Sequence, residues 1–203
     1  MLCKTSPVGL SPRSEAMQME LYCNPLYVMI NCKKLNHFGG LTMSLKFIPA
    51  FDHADSVREL FTEYTDMLIA GDPDFAAYLL NIQHFDDELL HLENKYGPPS
   101  GRLYLAYWND ELAGCVGLKK VDNDNAEIKR LYVRPAFRGH RIGDEMVHLI
   151  LQDARKIGYS HVLLDTLPFL KTAIAMYRRL GFYDIPSYNG SPMKNLLYMQ
   201  YDL

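Results

Sequence analysis

Apolar residues alternate with polar ones in some stretches of the chain and recur every three or four residues in others, and these two periods divide it into strands and helices. Met43–Ile48 leads into a strand predicted over Leu45–Pro49. Val57, Leu60, Phe61, Tyr64, Leu68 and Ile69 then fall at helical spacing, with Asp52 or Asp55 as the predicted cap and Gly71–Asp74 as the break. A second helical region runs to about Glu93, and Tyr96–Gly101 is a loop. Arg102–Trp108 and Leu112–Lys119, joined by Asn109–Glu111, read as a hairpin in which Leu103 and Leu105 face one side and Tyr104 and Ala106 the other. After a turn at Val121–Asn125, Ala126–Val133 forms the next strand and stops at Pro135, which has no N–H for a ladder.

The most informative helix follows. Ile142, Met146, Leu149, Ile150, Ala154 and Ile157 share one face; Asp144 and Glu145 lie in the first turn, Arg155 and Lys156 in the last, and Gly158 stands just past the end. Ser160–Leu164 is a short strand, which the intervening crossover makes parallel to 126–133. Asp165–Pro168 starts a last helix with Ala173, Ile174, Tyr177 and Leu180 on one face, ended by Gly181. Tyr188–Pro192 is a loop and Asn195–Tyr201 a closing strand.

Charge and cysteines narrow the class. The formal net charge of −3 argues against nonspecific nucleic-acid binding, which needs a basic surface. Cys3, Cys23, Cys32 and Cys115 show neither C-x-x-C nor a disulfide-framework spacing, so they read as reduced thiols and the protein as cytoplasmic. No apolar run approaches the ~18 residues of a membrane span. Residues 1–43 carry little periodicity, several breakers and a local excess of two positive charges; they are expected to be a poorly ordered extension or upstream read-through, ahead of a domain over 44–203.

The turn Arg138–Gly143, between strand and helix, aims backbone N–H groups and the positive end of a helix dipole at one point, which makes an anion site. A P-loop is excluded, since Gly139 precedes Gly143 by four residues rather than five and Asp144 follows; His140-Arg141 breaks the dinucleotide fingerprint. Instead Arg138 and Gly143, with the lead-in Leu131, Tyr132, Val133, Pro135, Phe137, resemble motif A of the GNAT superfamily of N-acetyltransferases, R/Q-x-x-G-x-G/A, with Arg141 in place of the middle glycine. Ala173–Phe182 is similar to that superfamily's motif B, although Leu170 stands where asparagine is common. The resemblance covers about 44–203 and is specific over 126–183.

The resemblance implies an α/β fold, a mixed and mostly antiparallel sheet with a splayed parallel pair, flanked by helices on both faces. It also implies acetyl-CoA as co-substrate, with no metal. The pyrophosphate is expected on the backbone of Arg138, Gly139, His140, Arg141, Ile142 and Gly143, His140 being alternatively a solvated side chain, and the pantetheine on the edges of Leu131, Tyr132 and Val133. A backbone N–H near Val133 is expected to hold the oxyanion, and Tyr177 to protonate the leaving thiolate. An amine of pKa ~10.4 is neutral in only about one molecule in 2,500 at pH 7, so a base is needed; Glu127 stands where many relatives carry one, and alternatively pairs with Lys129 on the same strand face as Leu131. His84, Glu88 and His91 are read as a solvated helix face rather than a metal site. The expected acceptor is a small-molecule amine, bound between the first helices and the Tyr188 loop; the acidic balance favours cationic acceptors. A homodimer is neither required nor excluded. The alternative reading is a non-catalytic acyl-CoA-binding module.

Overall fold

The structure, a computed structural model, describes residues 30–38, 41–72, 74–75 and 85–203. In chain order the described elements are β1 (Ile30–Phe38), β2 (Leu41–Pro49), α1 (Ala54–Gly71), α2 (Phe85–Leu90), α3 (Leu92–Tyr96), β3 (Arg102–Trp108), β4 (Glu111–Lys120) and β5 (Asn125–Val133). A 3-10 turn (Pro135–Phe137), α4 (Ile142–Ile157), β6 (His161–Thr166), α5 (Lys171–Arg179), β7 (Tyr183–Ile185) and β8 (Leu197–Asp202) complete them. The strands form one sheet in the order β1-β2-β3-β4-β5-β6-β8-β7. Every neighbouring pair is antiparallel except β5–β6, which α4 joins as a crossover and which is therefore parallel.

Alternation along the hairpin β3–β4 divides the core into two layers. Tyr104, Ala106, Val116 and Leu118 face α4, where Met146, Val147 and Ile150 are fully buried. Leu103, Leu105 and Cys115 face the other way, against Val57, Leu60 and Phe61 of α1 and Tyr96 of α3. The mixed sheet with helices on both faces matches the expected architecture.

The elements depart from the sequence reading at three places. β2 starts at Leu41 and pairs with β1, which lies inside segment 1–43 and whose sequence, INCKKLNHF, carries no clean alternation to announce it. The last helix starts at Lys171, not near Pro168: β6 runs on to Thr166, and Leu167–Leu170 makes a turn closed by the Leu170 N–H donating to the Leu167 carbonyl at 3.0 Å. β7, three residues long, carries too little pattern to be seen. The second helical region is only partly described, residues 76–84 lying outside the described set. Among the described residues no helix is long and apolar enough to cross a membrane.

At Gly114 the β4 backbone lies tight against β5 and α4. A Cβ there would lie 2.2 Å from the Tyr132 carbonyl oxygen and 2.9 Å from Met146 Cε, so any side chain pushes β5 and α4 away together. Gly114→Ala is expected to cost about 1–3 kcal/mol and to lower the thermal midpoint by several degrees; an unchanged melting curve contradicts this packing.

Candidate active site

The site is built where β5 parts from β6. On β4, Cys115 and Gly117 are two residues apart, whereas their partners Tyr132 and Lys129 on β5 are three apart, so β5 holds one extra residue. Arg130 takes the strain, with φ 56°, and the Cys115 thiol donates to its carbonyl at 3.2 Å. Burial pushes that thiol up to about 12, consistent with a structural rather than a nucleophilic role.

The bulge reverses the faces of the strand. Ala126 and Ile128 belong to the α4 layer but Tyr132 to the α1 layer, while Leu131 and Val133 pack on the α4 side. The expected common face of Glu127, Lys129 and Leu131 therefore holds for the first two and fails at Leu131. β5 and β6 pair only over Asn125–Glu127 against His161–Leu163, and β5 then runs on to Val133. The Arg134 N–H donates to Ala113 on β4 at 2.9 Å, so strand alternation turns the Val133 N–H toward the opening.

Beyond the strand the chain makes its turn. Gly139 has φ 89°, a conformation that strongly favours glycine, and Arg141 adopts φ 59°, ψ 22° immediately before α4. No side chain caps α4, leaving the N–H groups of its first turn without intrahelical acceptors. Asp144 in that turn would repel an anion, but Arg179 neutralises it at 2.6 Å. The Arg138 guanidinium lies over the opening and donates to the Val133 carbonyl at 3.1 Å. His140 is exposed and stacks its ring on Trp108, with centroids 4.6 Å apart, a contact that nothing in the sequence announces.

Two adjoining clefts open here. The outer, of about 850 Å³, is walled by Leu131, Tyr132 and Val133, by Arg138, Gly139, Arg141, Ile142 and Gly143, and by the α5 side. The inner, of about 310 Å³, lies between the α1–α3 helices and residues 191–196; Tyr64, Leu131, Leu170 and Ala173 belong to both. Tyr177 lines the inner cleft. It is 6% exposed, its hydroxyl makes no hydrogen bond with a described residue, and burial raises it well above the ordinary tyrosine range. Glu127 is 2% exposed and lines neither cleft: its Oε1 accepts from Tyr188 Oη at 2.6 Å and pairs with Lys129 Nζ at 2.9 Å. Asp165, at the cleft wall, takes the same Lys129 ammonium at 2.8 Å.

Glu88 is the main correction. It is not on a solvated face but at the inner cleft with its side chain 9% exposed, accepting from Arg130 Nε at 3.1 Å and Nη2 at 2.8 Å, from Tyr96 Oη at 2.7 Å, and pairing with Lys95 at 2.9 Å. Arg130 also lies over the Phe61 ring, 4.8 Å from its centroid. The sequence signal was present, an arginine and a glutamate within predicted elements, but without a spacing to join residues 42 apart. His91 is exposed, and His84 lies outside the described residues. Among the described residues no group of three or more His, Cys, Asp or Glu is arranged to hold a metal ion.

Fold and clefts together are those of an α/β acyltransferase, and similarity to known proteins narrows the class. Residues 56–182, more than half of the chain, match the acetyltransferase (GNAT) family model. The chain belongs to this family and is an N-acetyltransferase. It is 39% identical over 126 residues to an uncharacterized N-acetyltransferase of Schizosaccharomyces pombe, covering 61% of this chain and 77% of that protein. It is 28% identical over 214 residues to one of Dictyostelium discoideum, covering 75% and 95%. The acetyltransferase of Streptococcus agalactiae superposes with a TM-score of 0.61 at 21% identity, covering 82% of this chain and all of that one. The PaiA N-acetyltransferase of Thermoplasma acidophilum, solved in complex with coenzyme A, gives 0.59 at 14% identity over 80% and 100%. At such identities these two structures speak to the fold.

Two predictions follow from the geometry. Arg141 pays about 1 kcal/mol for its left-handed backbone, so Arg141→Gly is expected to raise the thermal midpoint and Arg141→Ala is not; a gain from both, or neither, contradicts it. Burial pushes the Glu88 carboxyl up, but hydrogen bonding and charge from Arg130, then Lys95, overcome this and hold it at about 2, against 4.5 ordinarily. With the folded value depressed, its contribution is complete above the unfolded value and disappears as the pH falls from about 4.5 toward 2, roughly 3 kcal/mol in all. Glu88→Gln is expected to be less stable at neutral pH and to lose less stability on acidification in urea titrations; an identical pH dependence contradicts the assignment.

Proposed function

We propose that the protein transfers the acetyl group of acetyl-CoA to a small-molecule amine by direct attack on the thioester. The observation that carries this reading is the parting of β5 from β6 after Glu127 and Leu163, with the outer cleft leading from the open edge of β5 to the uncapped start of α4. Pantetheine amides would pair with the edge at Leu131–Val133. The pyrophosphate would take the N–H groups of the turn and the first turn of α4, together with the Arg138 and Arg141 guanidinium groups. The coenzyme A complex of the Thermoplasma neighbour supports the same use of the fold. The acyl end then reaches Leu131, where the outer cleft meets the inner one.

The acceptor occupies the inner cleft, whose size suits a small molecule. Its nitrogen bonds to the thioester carbonyl carbon, the Val133 N–H stabilises the oxyanion, and the carbon–sulfur bond then breaks. The amine proton passes to the carboxylates flanking Lys129: Asp165 faces the cleft, and Glu127 stands behind it as the base reached through water. The departing thiolate takes a proton from Tyr177, which its buried setting keeps protonated at neutral pH. We place the catalytic domain at 44–203 and the protein in the cytoplasm.

Calorimetric binding of acetyl-CoA, followed by free-thiol release across a panel of amines, tests the reading. Saturable binding with turnover is expected; a folded protein that does not bind acetyl-CoA overturns it. Tyr177→Phe is expected to lower kcat by roughly 10²-fold while leaving the acetyl-CoA Kd unchanged. An unaltered kcat, in an assay limited by chemistry, removes Tyr177 from the acid role.

A further inference from the structure

The tip of the turn between β5 and α4 is fastened to the rest of the protein by a single ring. At the start of the turn Arg138 donates to the Val133 carbonyl at 3.1 Å and reaches the Met67 sulfur at 3.6 Å. At its end Ile142 is buried in the core on the α4 side. Between them lie Gly139, His140 and Arg141. Apart from the Glu145 N–H donating to the Arg141 carbonyl at 3.2 Å, the stack of His140 on Trp108 is their one hydrogen bond, ion pair or ring contact among the described residues. The two rings lie 4.6 Å apart at their centroids and 18° from parallel.

Trp108 is a rigid support for that ring. It closes β3, opposite Leu45 on β2 and Glu111 on β4, and is buried in the same core as Ile142 and Met146. What stands on either side of His140 needs such a support. Gly139, with φ 89°, and Arg141, with φ 59°, are both left-handed, and a Cβ at Gly139 would meet nothing within 4 Å. The N–H groups of Gly139, His140, Arg141, Ile142 and Gly143 donate to no described residue, which leaves them for an anion. A segment with two left-handed residues and unused donors has little of its own to hold one shape. His140 also stands apart from its neighbours in another way: Gly139 and Arg141 line the outer cleft, and His140 does not.

We infer that His140 is a positioning residue: stacked on Trp108, it holds the backbone N–H groups of residues 139–143 in the arrangement that receives the diphosphate of acetyl-CoA. The inference rests on the acetyltransferase reading and deepens it. Order already present in the free protein is not lost again on binding, so the stack raises affinity for the carrier without touching the reacting atoms. The sequence left open a direct phosphate contact by the His140 side chain. The place of its ring, on Trp108 and off the cleft wall, assigns the work to the stack and the phosphate contact to the backbone.

The test removes the stack and then restores it. By calorimetry, His140→Ala is expected to raise the acetyl-CoA Kd about 3- to 10-fold. With an amine that the wild-type protein acetylates, kcat/KM for acetyl-CoA falls by the same factor while kcat at saturating donor holds. His140→Phe, which keeps a flat ring and removes the imidazole, is expected to recover both. S-acetylpantetheine, a donor without the diphosphate, is expected to be used equally by all three proteins. His140 is exposed, so the fold does not depend on it, and thermal melting verifies this. Trp108 is the one tryptophan of the chain, and its emission is expected to change in His140→Ala before any ligand is added. An unaltered acetyl-CoA Kd in His140→Ala overturns the inference while the acetyltransferase reading stands. So does a His140→Phe variant as weak as His140→Ala, which makes the imidazole itself the phosphate ligand, or an equal loss with S-acetylpantetheine. A folded wild-type protein that does not bind acetyl-CoA sinks both readings and is seen before any variant is compared.

Discussion

One extra residue in β5 is the constraint on which the site depends. A regular strand would keep Ile128 and Tyr132 on one face; the bulge at Arg130 places them on opposite faces. It sends the Arg130 guanidinium into the α1 layer, where it meets Glu88 and lies over Phe61. It turns Leu131 and Val133 toward α4, on the open edge that follows the short ladder with β6. The left-handed backbone at Arg130 costs on the order of 1–3 kcal/mol, and it persists because the Glu88 pair, the Phe61 ring and the Cys115 hydrogen bond all hold that residue in place.

Charge is handled differently in the two clefts. Around the outer one the ligand-facing groups are backbone N–H donors at an uncapped helix start, with exposed arginines beside them and Asp144 tied to Arg179. Such a surface stabilises an anion without presenting a competing carboxylate. The inner cleft instead carries part-buried ion pairs, whose desolvation costs most where a partner is missing. The first arrangement suits a large polyanionic carrier that enters and leaves, and the second a small ligand that must be told apart from its analogues.

Much of this was legible in the sequence, for identifiable reasons. α4 announces itself through a clean apolar face, acidic residues in its first turn, basic ones in its last and Gly158 beyond, and the structure puts Gly158 in the left-handed conformation that ends a helix. The hairpin β3–β4 shows as two nearly continuous apolar runs around a polar turn, because both of its faces are buried against different helices. The bulge was not legible, since adding one residue to a strand changes neither composition nor end signals. The Glu127–Lys129 pair was legible from the strand period, but the Glu88–Arg130 and Glu127–Tyr188 contacts were hidden for another reason: contacts between residues 42 and 61 apart depend on how helices and loops dock, which period alone does not encode. Arg141 was visible as a departure from a glycine position, and its positive φ gives the physical reason why glycine is the easier residue there.

Amide hydrogen exchange with and without coenzyme A tests the central claim most directly, that the open edge of β5 and the start of α4 hold the carrier. Protection on binding is expected at the N–H groups of Leu131 and Val133 and across 139–144, with little change in β3 or β8. Saturable coenzyme A binding that leaves those amides exchanging as before would place the carrier elsewhere and contradict the account.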